Sequence, residues 1–97
     1  MERVDKVAKI LAVDDEPDIL ELIKNSLQKD NHVVITAVNV DEVDLNNITD
    51  YDLILLDVMM SGIDGFTFCR KIRGIVDCPI LFLTAKTMET DIMNGLG

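Results

Sequence analysis

Two uninterrupted apolar runs that end in aspartate constrain the fold more than any other feature of this chain. Ile10-Leu11-Ala12-Val13 runs into Asp14 and Asp15, and Leu53-Ile54-Leu55-Leu56 runs into Asp57. A short apolar run without polar alternation reads as a strand buried on both faces, which is the signature of a parallel sheet covered by helices. In an open α/β sheet, ligands collect outside the carboxyl ends of the strands, where the strand order reverses. If the two runs are neighbours, three carboxylates converge there, and their repulsion must raise a pKa or demand a counter-cation. A cluster with oxygen donors alone favours Mg²⁺.

The rest of the chain alternates in the same way. The first strand is expected over residues 8–13, and a helix from Glu16-Pro17 through Lys29, with proline where the first turn can spare its amide. Ile19, Leu22, Ile23 and Leu27 recur at helical spacing and define its sheet side. Val33 to Val38 is β-branched and predicts a second strand, and Asp41 to Ile48 predicts a short helix interrupted by Asn46-Asn47. A third strand is expected over Asp52 to Leu56. The loop Met59-Met60-Ser61-Gly62-Ile63-Asp64-Gly65 has the glycines of a sharp turn, and a helix over Phe66 to Ile75 follows. Pro79 opens a fourth strand, Ile80-Leu81-Phe82-Leu83, which ends at Thr84, and Thr87 to Leu96 predicts a last helix with Thr87 as its cap. The order βαβαβαβα, without repeats or low-complexity linkers, implies a doubly wound α/β fold.

At 97 residues the chain is expected to be a single domain. A hydrophobic content of 48% with mean hydropathy +0.24 argues against disorder. The net charge of −9 repels phosphate backbones, and no Lys/Arg stripe offsets it, so this chain itself is not expected to bind nucleic acid. Glu16, Asp18 and Glu21, and Asp41, Glu42 and Asp44, read as solvated faces. No stretch is long enough for a membrane span, and Glu2 and Asp5 near the amino terminus do not fit a signal peptide, so the expected location is the cytoplasm. Cys69 and Cys78 are nine apart, which suits neither a zinc knuckle nor a redox pair, and they read as reduced thiols. His32 reads as a strand-edge residue.

Each candidate site residue has two readings. Asp57 is either a nucleophile able to form an acyl-phosphate, or a polar strand end that caps the next turn. Asp14 and Asp15 are either helix caps or metal ligands, one direct and one through water, although capping explains one aspartate better than two. Thr84 is either a strand-terminal threonine or a hydroxyl donating to a phosphoryl oxygen. Met59 and Met60 are loop and core fillers, although the Met59 backbone carbonyl lies two residues past Asp57 and within reach of the same ion.

Four segments together resemble the receiver domain of two-component response regulators. These are Leu11-Ala12-Val13-Asp14-Asp15-Glu16, Tyr51 through Met60, Gly62-Ile63-Asp64-Gly65-Phe66, and Cys78 through Lys86, and the match runs from Ala8 onward. The resemblance implies a flavodoxin-like sheet of order 2-1-3-4 in a single receiver domain over residues 1–97. It implies that Asp57 accepts a phosphoryl group from a sensor histidine kinase with Mg²⁺. Asp15, Asp57 and the Met59 carbonyl would be direct ligands, and Asp14 would act mainly through water. Thr84 would be the switch hydroxyl, with Ala85 leaving space for the group. The wording around Met59-Met60, Cys69 to Arg73 and Leu83 to Lys86 is similar to regulators with a winged-helix DNA-binding output domain. Ser61 stands where the family usually has proline. The chain stops at Gly97, before the family's fifth strand and helix, its lysine and its aromatic switch residue, and Lys86 matches a different position. A domain truncated there is expected to expose its fourth strand and self-associate through that strand and the following helix. Competing readings are a pseudo-receiver that only binds partners, and a Mg²⁺-dependent phosphohydrolase. Enzymes of the second kind tend to place nucleophile and acid-base aspartate two residues apart on one strand, whereas Asp14 and Asp15 are adjacent and Val58 follows Asp57.

Overall fold

A computed structural model of the chain describes residues 7–60 and 64–83. Four strands alternate with two helices: β1 (Lys9–Val13), α1 (Pro17–Gln28), β2 (Val33–Ala37), β3 (Leu53–Asp57), α2 (Gly65–Arg73) and β4 (Ile80–Leu83). All strand pairs are parallel, in the order β2-β1-β3-β4. The chain winds from β1 outward to β2, then returns to the other side of β1 for β3. The reversal therefore falls between β1 and β3.

Because side chains alternate along a strand, the two faces of the sheet bury different sets. Leu11, Val13, Ala37, Ile54, Leu56 and Ile80 face a core closed by Phe68 and Ile72 of α2 and by Ile48 and Val76. Ile10, Ala12 and Val34 are buried outside that cluster, with Leu20 of α1. Helix α1 packs on β1 and β2, and α2 packs on β3. The expected doubly wound architecture is the observed one.

Element boundaries follow local hydrogen bonding. Helix α1 begins with Pro17 at its first position and ends at Gln28, where Asn31 takes the left-handed conformation (φ 68°) and turns the chain into β2. His32 sits at that strand edge, its Nδ1 accepting the Ala8 N–H at 3.0 Å. Strand β3 starts at Leu53, one residue later than expected. Asp52 instead clasps the start of β1, its N–H donating to the Lys9 carbonyl (2.7 Å) and its Oδ2 accepting the Lys9 N–H (2.8 Å).

The helix expected over Asp41 to Ile48 does not form. Two single 3₁₀ turns, Val40–Glu42 and Ile48–Asp50, replace it. Asp44 is the reason: its Oδ1 accepts the Asn46 N–H at 2.9 Å and its Oδ2 accepts the Asn47 side-chain amide at 2.8 Å. Short polar side chains that bond neighbouring backbone in this way offer an alternative to the helical ladder. Ile48 is nonetheless fully buried and anchors the segment. Helix α2 spans Gly65–Arg73 rather than Phe66 to Ile75; Gly74 ends it, and Ile75 is half exposed. Both cysteines are free thiols. The expected helix over Thr87 to Leu96 lies outside the described residues. Among the described residues no helix is long and apolar enough to cross a membrane.

Candidate functional site

Strands β1 and β3 lie side by side with Val13 opposite Leu56, so the next residue of each, Asp14 and Asp57, emerges at the same sheet end. Asp15 follows Asp14 there. The three side chains each offer a carboxylate oxygen, all within 4.8 Å of one another. The convergence expected from the two apolar runs is present, and it occupies the point where the strand order reverses.

The three acids are not equivalent. Asp14 is buried, at 4% exposed, whereas Asp15 and Asp57 are half-buried. Asp14 Oδ1 accepts the Glu16 N–H at 2.9 Å, and its own N–H donates to the Ala37 carbonyl at 3.1 Å. The capping alternative is therefore partly realised, because Asp14 caps the turn into α1, while the residue at the helix cap itself is Glu16. Asp57 Oδ1 accepts the Met59 N–H at 3.2 Å. That bond turns the chain just past the strand and brings residue 59 back toward the acids.

Burial and like charge act together on the pair. Burial pushes the Asp14 carboxyl up to about 6; the Glu16 N–H pulls the other way, and Asp57 and Asp15 add to the rise. Asp57 is likewise raised, first by burial, with the charges of Asp15 and Glu16 adding, while the Met59 N–H and a proton shared with Asp14 lower it. Burial and mutual repulsion thus favour a proton on the Asp14–Asp57 pair when no cation is near.

The donor set fits a hard divalent cation. Oxygens on one Mg²⁺ octahedron, with bonds of about 2.1 Å, lie at most about 4.2 Å apart. A 4.8 Å spread is thus close to a direct set and suits a site in which one carboxylate acts through water. Asp15, Val58, Met59, Met60, Asp64 and Phe66 line an open hollow of about 510 Å³ beside the acids. Met59 is 62% exposed at its rim, so its side chain is not a core filler, while Met60 packs against the core. Thr84 and Ala85 lie outside the described residues. The last described residue of β4, Leu83, accepts the Val58 N–H at 3.3 Å, so the carboxyl end of β4 meets the turn that follows Asp57.

Two residues of this region carried no role in the sequence reading beyond their place in a turn. Asp64 caps α2, its Oδ1 accepting the Thr67 N–H at 2.8 Å. Gly65, the first residue of α2, donates its N–H to the Val58 carbonyl at 2.8 Å. The Asp64-to-Thr67 spacing was a readable cap signal. The approach of Gly65 to another strand had no local signal.

A parallel sheet of this order with three acids at its reversal point defines a class of small α/β domains. The chain belongs to the response regulator receiver domain family, which it matches over residues 10–97. It is 59% identical over 90 residues to the transcriptional regulatory protein SpaR of Bacillus subtilis, covering 93% of this chain and 41% of SpaR. The chain spans about two fifths of the length of the curated relatives it matches. Among solved structures, the amino-terminal domain of a response regulator receiver protein from Methanoculleus marisnigri matches with TM-score 0.75 and 35% identity, over 93% of this chain and 78% of that one. The response regulator TrrA of Thermotoga maritima, solved with Mg²⁺ and BeF, matches with TM-score 0.67 and 26% identity, over 93% of this chain and 98% of that one.

Proposed function

We propose that this domain is a phosphoacceptor switch in which Asp57 takes a phosphoryl group from a histidine kinase in a Mg²⁺-dependent step and relays the change to a transcriptional output. The observation that carries this reading is the meeting of Asp14, Asp15 and Asp57 at the strand-order reversal. Asp57 is the acceptor because it is the acid at the end of β3, half-buried, and held by the Met59 N–H on one oxygen. Its other oxygen attacks phosphorus; the bond from phosphorus to the donor nitrogen breaks, and the electron pair leaves with the imidazole, which takes up a proton.

Asp14, Asp15, Asp57 and the Met59 carbonyl would hold Mg²⁺, Asp14 through water, and the bound ion would neutralise charge on the phosphoryl oxygens. The BeF complex of the Thermotoga relative supports that assignment, since its structure contains Mg²⁺. The hollow beside Met59 and Phe66 gives the donor a way in. Thr84 is the proposed switch hydroxyl, following Leu83 at the end of β4.

The domain's own chemistry would be limited to gaining and losing this one group, with no other substrate turned over. Its acidic surface disfavours DNA, so DNA binding would fall to an output domain such as a winged helix; the name of SpaR supports a transcriptional output. Cytoplasmic location fits the absence, among the described residues, of a helix able to span a membrane. Leu81, 53% exposed on β4, supports a self-association surface there.

The test is Mg²⁺-dependent labelling by acetyl phosphate, read by intact mass on the wild-type protein and Asp57→Asn. One added phosphoryl group in the wild type and none in the variant is the expected result. Equal labelling of both would overturn the assignment.

A further inference from the structure

Gly65 stands outside the acid cluster, yet it touches the backbone that aims it. A Cβ built at residue 65 would lie 2.3 Å from the Asp57 carbonyl oxygen, 2.9 Å from Val58 Cα and 3.0 Å from the Asp57 carbonyl carbon. Every one of these atoms is main chain, so no rotamer change relieves the overlap. The other described glycine of α2's neighbourhood, Gly74, has nothing within 4 Å of such a Cβ. The close approach is therefore specific to the residue that meets the phosphoacceptor strand.

We infer that Gly65 is a positioning residue of the site: by lacking a side chain, it lets the start of α2 press against the Asp57–Val58 peptide and so fixes where the Asp57 carboxylate and the Met59 carbonyl point. This rests on the phosphoacceptor reading for its functional meaning, although the geometry stands alone. Three contacts act in series. The Gly65 N–H donates to the Val58 carbonyl at 2.8 Å, the Val58 N–H donates to the Leu83 carbonyl at 3.3 Å, and the Met59 N–H donates to Asp57 Oδ1 at 3.2 Å. The peptide that leads from the acceptor to residue 59 is thereby clamped between α2 and β4.

Either the helix or the strand end must yield to an added methyl group, and the packing decides which. Phe68 and Ile72 of α2 are 2% and 0% exposed, and Asp64 caps the helix through Thr67, so withdrawal of α2 would open the core. The end of β3 is held against β4 by the 3.3 Å bond from the Val58 N–H to the Leu83 carbonyl, a contact that can lengthen without opening the core. Gly65→Ala therefore displaces Asp57, Val58 and Met59 rather than α2. Raising the 2.3 Å approach to 3.0 Å takes a displacement of about 0.7 Å, which at a hard-cation site changes ligand geometry directly, because Mg²⁺ tolerates little departure from its octahedron.

The experiment compares Gly65→Ala and Gly74→Ala with the wild-type full chain by Mg²⁺ calorimetry, by the backbone NMR shifts of residues 57–59 without metal, and by acetyl phosphate labelling. The expected result for Gly65→Ala is a five- to tenfold weaker Mg²⁺ affinity, shifted signals at residues 57–59 with those of Phe68 and Ile72 retained, and slower labelling. Gly74→Ala should match wild type in all three. Mg²⁺ affinity and residue 57–59 shifts equal to wild type in Gly65→Ala would overturn the inference, as would an equal loss in Gly74→Ala. Should Gly65→Ala fold poorly, the comparison is made with both proteins in a stabilising osmolyte, which favours the compact state without entering the site. Unlabelled wild-type protein that still binds Mg²⁺ would instead count against the phosphoacceptor reading and leave the Gly65 comparison decisive through affinity and shifts.

Discussion

Asp14 is the buried member of the acid cluster, and it faces Asp57 across the β1–β3 junction. Its carboxyl is raised from 3.8 to about 6, so between those pH values the folded state binds more protons than the unfolded one. Stability without metal should therefore fall as pH rises from about 4 to about 6 and level off above. After allowance for solvent reaching the cluster, the contribution is about 1–3 kcal/mol. Asp14→Asn keeps an oxygen for the Glu16 N–H and removes the charge. Urea denaturation of the metal-free variant at pH 7 should show a gain of about that size with a flatter pH dependence. Mg²⁺ binding should weaken by about tenfold or more. At this scale the sequence made Asp14, Asp15 and Asp57 legible because each terminates an apolar run. Gly65 stayed silent because its neighbour is the backbone of Asp57 and Val58, and a glycine in a turn reads the same whatever it approaches.

Helices and strands differ in how much local signal they carried. The strands β1, β3 and β4 were read to within a residue, since apolar runs buried on both faces have no competing interpretation here. Helix α1 was read from its proline start and its apolar spacing, but its buried residue is Leu20, whereas Leu22, expected on the sheet side, is 63% exposed. The segment from Asp41 to Ile48 was expected to be a short helix, whereas the Asn46 N–H and the Asn47 side-chain amide donate to Asp44 and hold it in turns. Helix α2 does more than cross over. It supplies Phe68 and Ile72 to the core beneath β3 and presents Gly65 to the strand end. Ile72→Ala should cost about 2–5 kcal/mol in chemical denaturation, as expected for a fully buried isoleucine. It should also raise the Mg²⁺ concentration needed for half-saturation, because a loosened α2 no longer backs the Asp57–Val58 peptide. Unchanged Mg²⁺ affinity in a variant destabilised by that amount would separate the helix from the site.

As a whole, the molecule is a sheet whose net charge of −9 is concentrated in part at one functional point. A cation bound there relieves repulsion that the fold itself imposes, so binding must stabilise the native state. At a Mg²⁺ concentration about a hundredfold above Kd, the gain should be about 3 kcal/mol, seen as a rise in Tm at pH 7. That rise should shrink as pH falls through about 6, where Asp14 takes up its proton. A Tm that ignores Mg²⁺ at pH 7 would mean that the cluster is not a metal site. The sequence alone determined which segments are strands, that the sheet is parallel, and that three acids stand at strand ends, because these follow from the length and polarity of local runs. Only the tertiary structure decided how far each acid is buried, that Asp14 and Asp57 are both raised by their closeness and burial, and what backs the acceptor strand. Those properties depend on the distance between residues far apart in the chain, such as Asp14 from Asp57 and Gly65 from the Asp57 carbonyl, and local patterns of residues carry no record of such distances.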